Sequence, residues 1–361
     1  MRLAIIGTRG IPNYHGGFEQ FAEYFSIHMA NHGHEVFVYN SHSHPFQEQN
    51  YKGVNIIHRR DPENKIGTAG QFIYDLNCIL DARKRKFDLI LQLGYTSSSI
   101  WGGLLPKKAI IVTNMDGLEW KRSKYNKSVQ RYLQKAEKWA IDTSDFLISD
   151  SLGIQEYIKN KYGKSSKYIP YGAGLFETPE RTILEEYGLS EMNYNMLIAR
   201  LEPENNIETI LDGVVMGATK FPFLVIGKHE TAYGEYLKKR YEGHNLIRFI
   251  GGVYNIEHLN NLRFFSNIYF HGHSVGGTNP SLLEAMASGS LIAAHNNIFN
   301  KSILGEDAFY FNDKNEVTAL IEKRKDAYSE MVANNFIKIK DEYTWDKINL
   351  EYEQFLMACL S

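Results

Sequence analysis

Apolar residues in this chain come in short runs separated by longer helical patterns. Residues 3–6 form an unbroken apolar run, followed at once by Gly7-Thr-Arg-Gly10. A run without polar alternation predicts a strand buried on both faces. Phe18, Phe21, Ala22, Phe25 and Met29 then recur at helical spacing, and Gly33 supplies the stop. Further strands are expected at 35–39, 54–57, 87–93, 109–113 and 146–149, with helices between several of them. The pattern restarts after Tyr168-Ile-Pro-Tyr-Gly-Ala-Gly174, with strands at 195–199, 223–227, 246–250, 268–271 and 291–294. A helix is expected at 207–215. This alternation predicts an α/β chain with parallel sheets covered on both faces.

Glycine, proline and charged residues interrupt the pattern across 172–190. The expected division is an N-terminal Rossmann-like domain at 1–173 and a C-terminal one at 174–344. A last helix at 345–361 is expected to pack back toward the N-terminal domain. Two doubly wound domains would place ligands at the carboxyl ends of their strands, in a cleft between them.

Composition narrows the function. The chain has 361 residues, with 40 Lys and Arg against 42 Asp and Glu, so bulk electrostatics do not indicate nucleic-acid binding. Its two cysteines, Cys78 and Cys359, are far apart, which suggests neither a disulfide framework nor a metal cluster and fits a reducing cytoplasm. The apolar run after Met1 is too short for a signal peptide, and no stretch approaches membrane-spanning length.

The most informative segment runs from His271 to Gly289. It reads as a strand end, a glycine-rich loop and a helix capped by Asn279, with Pro280 at its first position and Gly289 at its stop. Backbone N–H groups at such a helix start suit an anion. Glu284 lies among Leu282, Leu283, Ala285, Met286 and Ala287, where a carboxylate is costly to bury unpartnered. It either meets a ligand or snorkels from an ordinary buried helix. His271 and His273 could hydrogen-bond a sugar or phosphate, but no Cys or carboxylate set accompanies them as metal ligands.

Three other loops follow strands. Gly16 and Gly17 open the first helix, and Glu19 in its first turn is either a ligand group or a helix cap. This loop departs from G-x-G-x-x-G, which argues against a dinucleotide enzyme. Arg200 closes a strand, and its planar fork suits a diphosphate unless Glu202 or Glu204 pairs with it. Asp116 also follows a strand, placed either to orient a hydroxyl or to form a turn before Gly117. From Trp120, Lys121, Arg122 and Lys124 through Lys138 and Trp139 the chain is basic and aromatic. That pattern fits anionic lipid headgroups, and equally a solvated helix face.

Together these residues resemble the retaining GT-B glycosyltransferases of sequence family four. The resemblance rests on Gly16-Gly17, on Ile169-Pro-Tyr-Gly172, on a strand ending in Arg200, and on Glu284-Ala-Met-Ala-Ser-Gly289. It extends over essentially the whole chain. Two positions depart: the family's Lys after the Arg falls on Asn205, and the first Glu of its pair falls on Gly276. The surrounding motifs resemble a bacterial subgroup, the rhamnosyltransferases of capsule and exopolysaccharide assembly.

The resemblance implies a GT-B fold and transfer of a sugar, rhamnose from dTDP-rhamnose by preference, to a saccharide acceptor on a lipid carrier. It implies Glu284 on the ribose hydroxyls, Arg200 on the diphosphate and Asp116 on the acceptor hydroxyl. The implied donor set comprises Gly16, Gly17, Asn205, Gly227, His273, Gly276, Gly277, Thr278, Asn279 and Ser281. The loops at 227–229 and 249–251 would flank the base. Glu19, Trp120, Lys121, Arg122 and Lys124 form the expected acceptor or membrane face. No cofactor or metal is expected, because no D-x-D-like motif stands in a suitable loop. The expected location is the cytoplasm, with peripheral contact at the inner membrane face. A non-catalytic sugar-nucleotide-binding protein and a nucleotide-sugar epimerase of the same fold are the alternatives.

Overall fold

A computed structural model describes residues 1–361 except His15, Ser123, Lys124 and Ala218. The chain divides into two compact units. The first comprises residues 1–121, 125–171 and 345–361, and the second comprises 122–124 and 172–344.

In the first unit the strands are β1 (Arg2–Ile6), β2 (Glu35–Ser41), β3 (Asn50–Tyr51), β4 (Val54–Arg59), β5 (Leu89–Leu93), β6 (Ile110–Asn114), β7 (Phe146–Ser149) and β8 (Lys167–Tyr168). They form one sheet in the order β3-β4-β2-β1-β5-β6-β7-β8. Every pairing is parallel except β3 with β4. Side chains alternate across a strand, so β1 feeds two cores. Leu3 and Ile5 face α1 (Gly17–Asn31) through Phe21, Phe25 and Met29, joined by Ile348, Tyr352 and Leu356 of the C-terminal helix Trp345–Ala358. Ala4 and Ile6 face α2 (Ala69–Arg85) through Tyr74, Cys78 and Ile79. Burial on both faces explains why the run 3–6 has no polar alternation. Each such side chain contributes about 1.5–3 kcal/mol. A third helix, α3 (Lys127–Thr143), starts at Asn126, whose side chain accepts from the N–H groups of Ser128 and Val129.

The second unit has β9 (Asn195–Ile198), β10 (Phe223–Ile226), β11 (Ile247–Gly251), β12 (Ile268–His271), β13 (Ile292–His295) and β14 (Phe309–Phe311), all parallel, in the order β11-β10-β9-β12-β13-β14. Three of its helices shape the site: α4 (Ile207–Met216), α5 (Ile256–Phe265) and α6 (Pro280–Ala287). Leu197, Ile210, Leu211, Phe223, Phe270 and Val317 belong to its core. The strand order reverses between β9 and β12. In open parallel sheets that switch point, at the carboxyl ends of the strands, is where ligands bind. Among the described residues, no helix is long and apolar enough to cross a membrane.

Candidate functional site

Two loops meet at the switch point of the second sheet. One follows β9 and carries Arg200 to Asn206. The other follows β12 and carries Gly272 to Asn279. Hydrogen bonds tie them together. The Asn206 side-chain amide donates to the Gly272 carbonyl at 2.7 Å, and the Ser274 hydroxyl donates to the Glu204 carbonyl at 2.7 Å. The approach is close enough that a Cβ on Gly272 would lie 2.0 Å from the Asn205 carbonyl oxygen, so only glycine fits. Gly276 has φ +131, a backbone conformation other residues rarely adopt. The loop then enters α6, where Asn279 Oδ1 accepts from the Ser281 N–H at 2.9 Å and Pro280 takes the first position.

Glu284 sits one turn into α6 and is partnered. Its Oε2 accepts from Arg263 Nη2 at 2.6 Å. Arg263 is only 1% exposed and comes from α5. Its guanidinium also reaches Asn260 Oδ1 at 3.1 Å and Ser281 Oγ at 3.2 Å, while Ser281 Oγ bonds the Tyr269 hydroxyl at 2.8 Å. Ser281 therefore serves this buried network, not the loop surface. The apolar setting of Glu284 flagged it in the sequence. Arg263 stands in the same kind of apolar setting, between Leu262 and Phe264.

Arg200 is exposed just beyond β9. Glu204, a partner the sequence offered it, instead lies 3.9 Å from Arg122 Nη1. Asn205 turns its side-chain amide onto the Arg200 carbonyl at 2.7 Å and is buried, so it staples the loop where the resemblance expects a lysine. Beneath the loop, His271 and His273 stack with ring centroids 4.4 Å apart. Burial, with His273 and Arg263 nearby, pushes His271 well below the ordinary imidazole range. Burial first, then the charges of Arg200 and Arg122, lower His273 to about 3. Both rings are neutral at physiological pH. Neither nitrogen of His271, nor Nδ1 of His273, has a hydrogen-bond partner among the described residues. Neutral imidazoles beside an arginine suit a ligand carrying both hydroxyl and anionic groups.

The remaining donor-set residues fall around these loops. Thr278 is buried, and Gly276 and Gly277 are half-buried within the glycine loop. Gly227 follows β10, where a Cβ would lie 2.0 Å from the Ala199 carbonyl oxygen, and its N–H bonds the Gly251 carbonyl at 2.9 Å. Beside it, His229 Nδ1 is buried without a hydrogen-bond partner among the described residues.

The first unit brings its own loops to the carboxyl ends of β1 and β6. Gly16 is the N-cap of α1 in extended backbone, and its N–H donates to Asn13 Oδ1 at 3.2 Å. Gly17 is the first residue of α1. Glu19 is buried, and its Oε1 accepts from the Arg9 N–H at 2.9 Å, so it fastens the loop after β1. Asp116, past β6, adopts φ +48, left-handed for a residue with a Cβ. Its N–H is held by Asn114 Oδ1 at 2.9 Å, and Asn114 in turn donates to the Tyr352 hydroxyl at 2.8 Å. Strained backbone supported in this way is typical of functional loops.

The expected acceptor or membrane face needs correction. Glu19 is buried, Trp120 donates its indole N–H to the buried Glu137 at 3.2 Å, and the Arg122 side chain is 14% exposed beside Glu204. Buried carboxylates draw these groups inward because an unpaired buried charge is costly. Lys121 is exposed, and Lys124 lies outside the described residues.

A family profile described as a domain of unknown function, DUF1972, matches residues 1–174. No protein of curated function matches the sequence. Solved structures match along the full chain. Sucrose-phosphate synthase from Thermosynechococcus elongatus superposes with a TM-score of 0.81 at 16% identity, covering 99% of this chain and 98% of its own. HepE from Anabaena, solved with UDP-glucose, gives 0.77 at 14% identity, covering 99% of both chains. The α,α-trehalose-phosphate synthase (UDP-forming) from Burkholderia xenovorans, solved with glucose-6-phosphate, gives 0.75 at 11% identity, covering 100% of both. The fold is therefore GT-B: two doubly wound, Rossmann-like domains.

Proposed function

We propose that this protein is a glycosyltransferase that moves a sugar from a nucleoside-diphosphate donor to a saccharide hydroxyl. The observation that carries the reading is the junction of Arg200, the glycine loop and Glu284 at the switch point of the second sheet. Arg200 offers an exposed guanidinium for a diphosphate. The capped start of α6 adds aligned N–H dipoles. Glu284 keeps Oε1 available for ribose hydroxyls while Arg263 holds Oε2.

The reaction breaks the bond from the anomeric carbon to the diphosphate oxygen and forms one to the acceptor oxygen. Transfer with retention has the departing phosphate take the acceptor proton, with Asp116 orienting the acceptor hydroxyl. Charge develops on the leaving diphosphate, so preorganised donors around it carry most of the catalysis. By resemblance to the rhamnosyltransferase-like subgroup, the preferred donor is dTDP-rhamnose, the acceptor a saccharide on a lipid diphosphate carrier, and metal is not required.

The test is thermal shift against dTDP-, UDP- and GDP-sugars, followed by nucleotide release with and without saccharide acceptors. Stabilisation by one donor class and acceptor-dependent release are expected. Donor binding without transfer or hydrolysis, across the acceptors tested, favours a non-catalytic binder. The use of Asn205 as a loop staple in place of a cationic side chain is the observation for that second reading.

The lipid-carrier part of the proposal is tested by sedimentation with anionic and neutral liposomes at low and high salt. Binding that depends on lipid charge and weakens when Lys121 and Lys127 become Gln supports it. Binding indifferent to lipid charge points to a soluble acceptor.

A further inference from the structure

On the first unit, the carboxyl end of α1 meets the C-terminal helix at four residues remote from every loop described above. His28 and His32 are one helical turn apart, and both aim at Glu353. His28 Nε2 lies 2.9 Å and His32 Nδ1 2.6 Å from the same oxygen, Glu353 Oε2. The three donor atoms fall within 4.8 Å of one another. His34 Nε2 lies 3.1 Å from the other oxygen, Oε1. The His28, His34 and Glu353 side chains are 12–15% exposed, whereas that of His32 is 46% exposed and gives solvent a way in.

We propose that His28, His32 and Glu353 form a binding site for a divalent transition metal, of which Zn2+ is the best fit. Imidazole and carboxylate are its ordinary nitrogen and oxygen ligands, at about 2.0–2.2 Å, which sets donors about 3.4 Å apart in a tetrahedron. His28 in the last turn of α1 and His32 at its C-cap, at i and i+4, hold their nitrogens within 4.8 Å of each other. Inserting the ion requires Oε2 to move from its 2.9 Å and 2.6 Å contacts with His28 and His32 to a spacing of about 3.4 Å, a shift of about 0.5–0.8 Å that rotation of the two rings and the carboxylate can supply. His34 then does what an outer-shell partner does: it holds the carboxylate by its free oxygen and fixes its direction. The metal replaces two imidazole N–H contacts on Glu353 and joins α1 to the C-terminal helix. A catalytic part is not implied, because none of these residues belongs to the loops at the carboxyl ends of the strands.

The experiment titrates Zn2+ into EDTA-treated, dialysed full-length protein by calorimetry and follows its thermal transition with and without the ion. Wild type should bind about one Zn2+ and unfold at a higher temperature in its presence. Removing one ligand through His32→Ala or Glu353→Gln should weaken binding by about tenfold or more and abolish the thermal shift. His32 is half-exposed, so its alanine variant keeps the helix packing, and its transition in EDTA should match wild type. Failure of wild type to bind Zn2+ overturns the site. So does equal affinity in the His28→Ala/His32→Ala double variant, which would assign the ion to other histidines.

Discussion

Glu284 Oε2 and Arg263 Nη2 lie 2.6 Å apart, and the guanidinium of this pair is almost fully buried. The carboxylate neutralises a buried cation through one oxygen and has no hydrogen-bond partner for the other among the described residues. Glu284→Gln should weaken nucleoside-diphosphate binding by about 1.5–3 kcal/mol, the scale of a hydrogen bond to a charged group. Glu284→Ala should also cost about 3 kcal/mol of folding stability, because it strands Arg263. Calorimetry and urea unfolding separate the two effects. Unchanged nucleotide affinity in folded Glu284→Gln removes the residue from the site.

Arg200 is exposed, its carbonyl accepts from the Asn205 amide and the Glu202 N–H, and no partner holds its side chain among the described residues. Arg200→Ala should lower turnover about a hundredfold or more while leaving the unfolding midpoint unchanged. Arg200→Lys should restore part of the rate, since charge returns without the fork. Wild-type steady-state kinetics in the alanine variant would refute the role.

Asn205 replaces a lysine of the resembled family, yet restoring the lysine should not improve the protein. The amide hydrogen bond to the Arg200 carbonyl would be lost at a buried position, and a second cation would enter beside Arg200. Asn205→Lys should cost about 1 kcal/mol or more of stability and lower donor affinity. A gain in affinity, measured by calorimetry, would show that the loop opens to accept the charge.

His271 and His273 make stability depend on pH with a defined sign. Their folded-state values lie below the ordinary 6.5, with His273 at about 3. As pH falls past 6.5, the unfolded chain takes up protons that the folded chain refuses. Stability is therefore full above 6.5 and falls below it; for His273 the fall runs from 6.5 to about 3, by up to about 1.4 kcal/mol per pH unit. Urea midpoints at about pH 7.5 and about pH 5 should show a smaller drop in His273→Gln than in wild type. Equal drops would mean that His273 titrates normally.

Asp75, under the first sheet, works in the opposite direction. Burial raises its carboxyl to about 7, against the Ser97 hydroxyl that donates to it at 2.6 Å. The folded state keeps this proton after the unfolded state has released it, so stability is lost as pH rises from 3.8 through about 7. Asp75→Asn should stabilise the protein at pH 8 on the order of 2 kcal/mol and have little effect at about pH 4. A destabilised Asn variant at pH 8 would mean the ionised carboxylate is compensated.

Most strands were legible in the sequence because parallel sheets bury both faces and leave long apolar runs. β7 and β12 match their expected ranges fully, and the others shift by a few residues. Three strands went unpredicted: Asn50–Tyr51, Lys167–Tyr168 and Phe309–Phe311. Each has two or three residues at a sheet edge, where pairing is imposed by the neighbouring strand and no periodicity can build up. The α6 cap and glycine loop were legible because their chemistry is local. The Arg263–Glu284 pair and the Glu353 cluster were not, since their partners are 21 and more than 300 residues apart. Trp120 and Arg122 misled for the same reason: the carboxylates that turn them inward come from elsewhere in the chain.

The C-terminal helix contributes Ile348, Tyr352 and Leu356 to the core beneath β1, a strand more than 300 residues earlier in the chain. A ribosome must translate the whole second unit before that core can close. The N-terminal half therefore emerges with an apolar face uncovered for most of elongation, and chaperone occupancy of nascent chains should persist until residue 345 has left the exit tunnel.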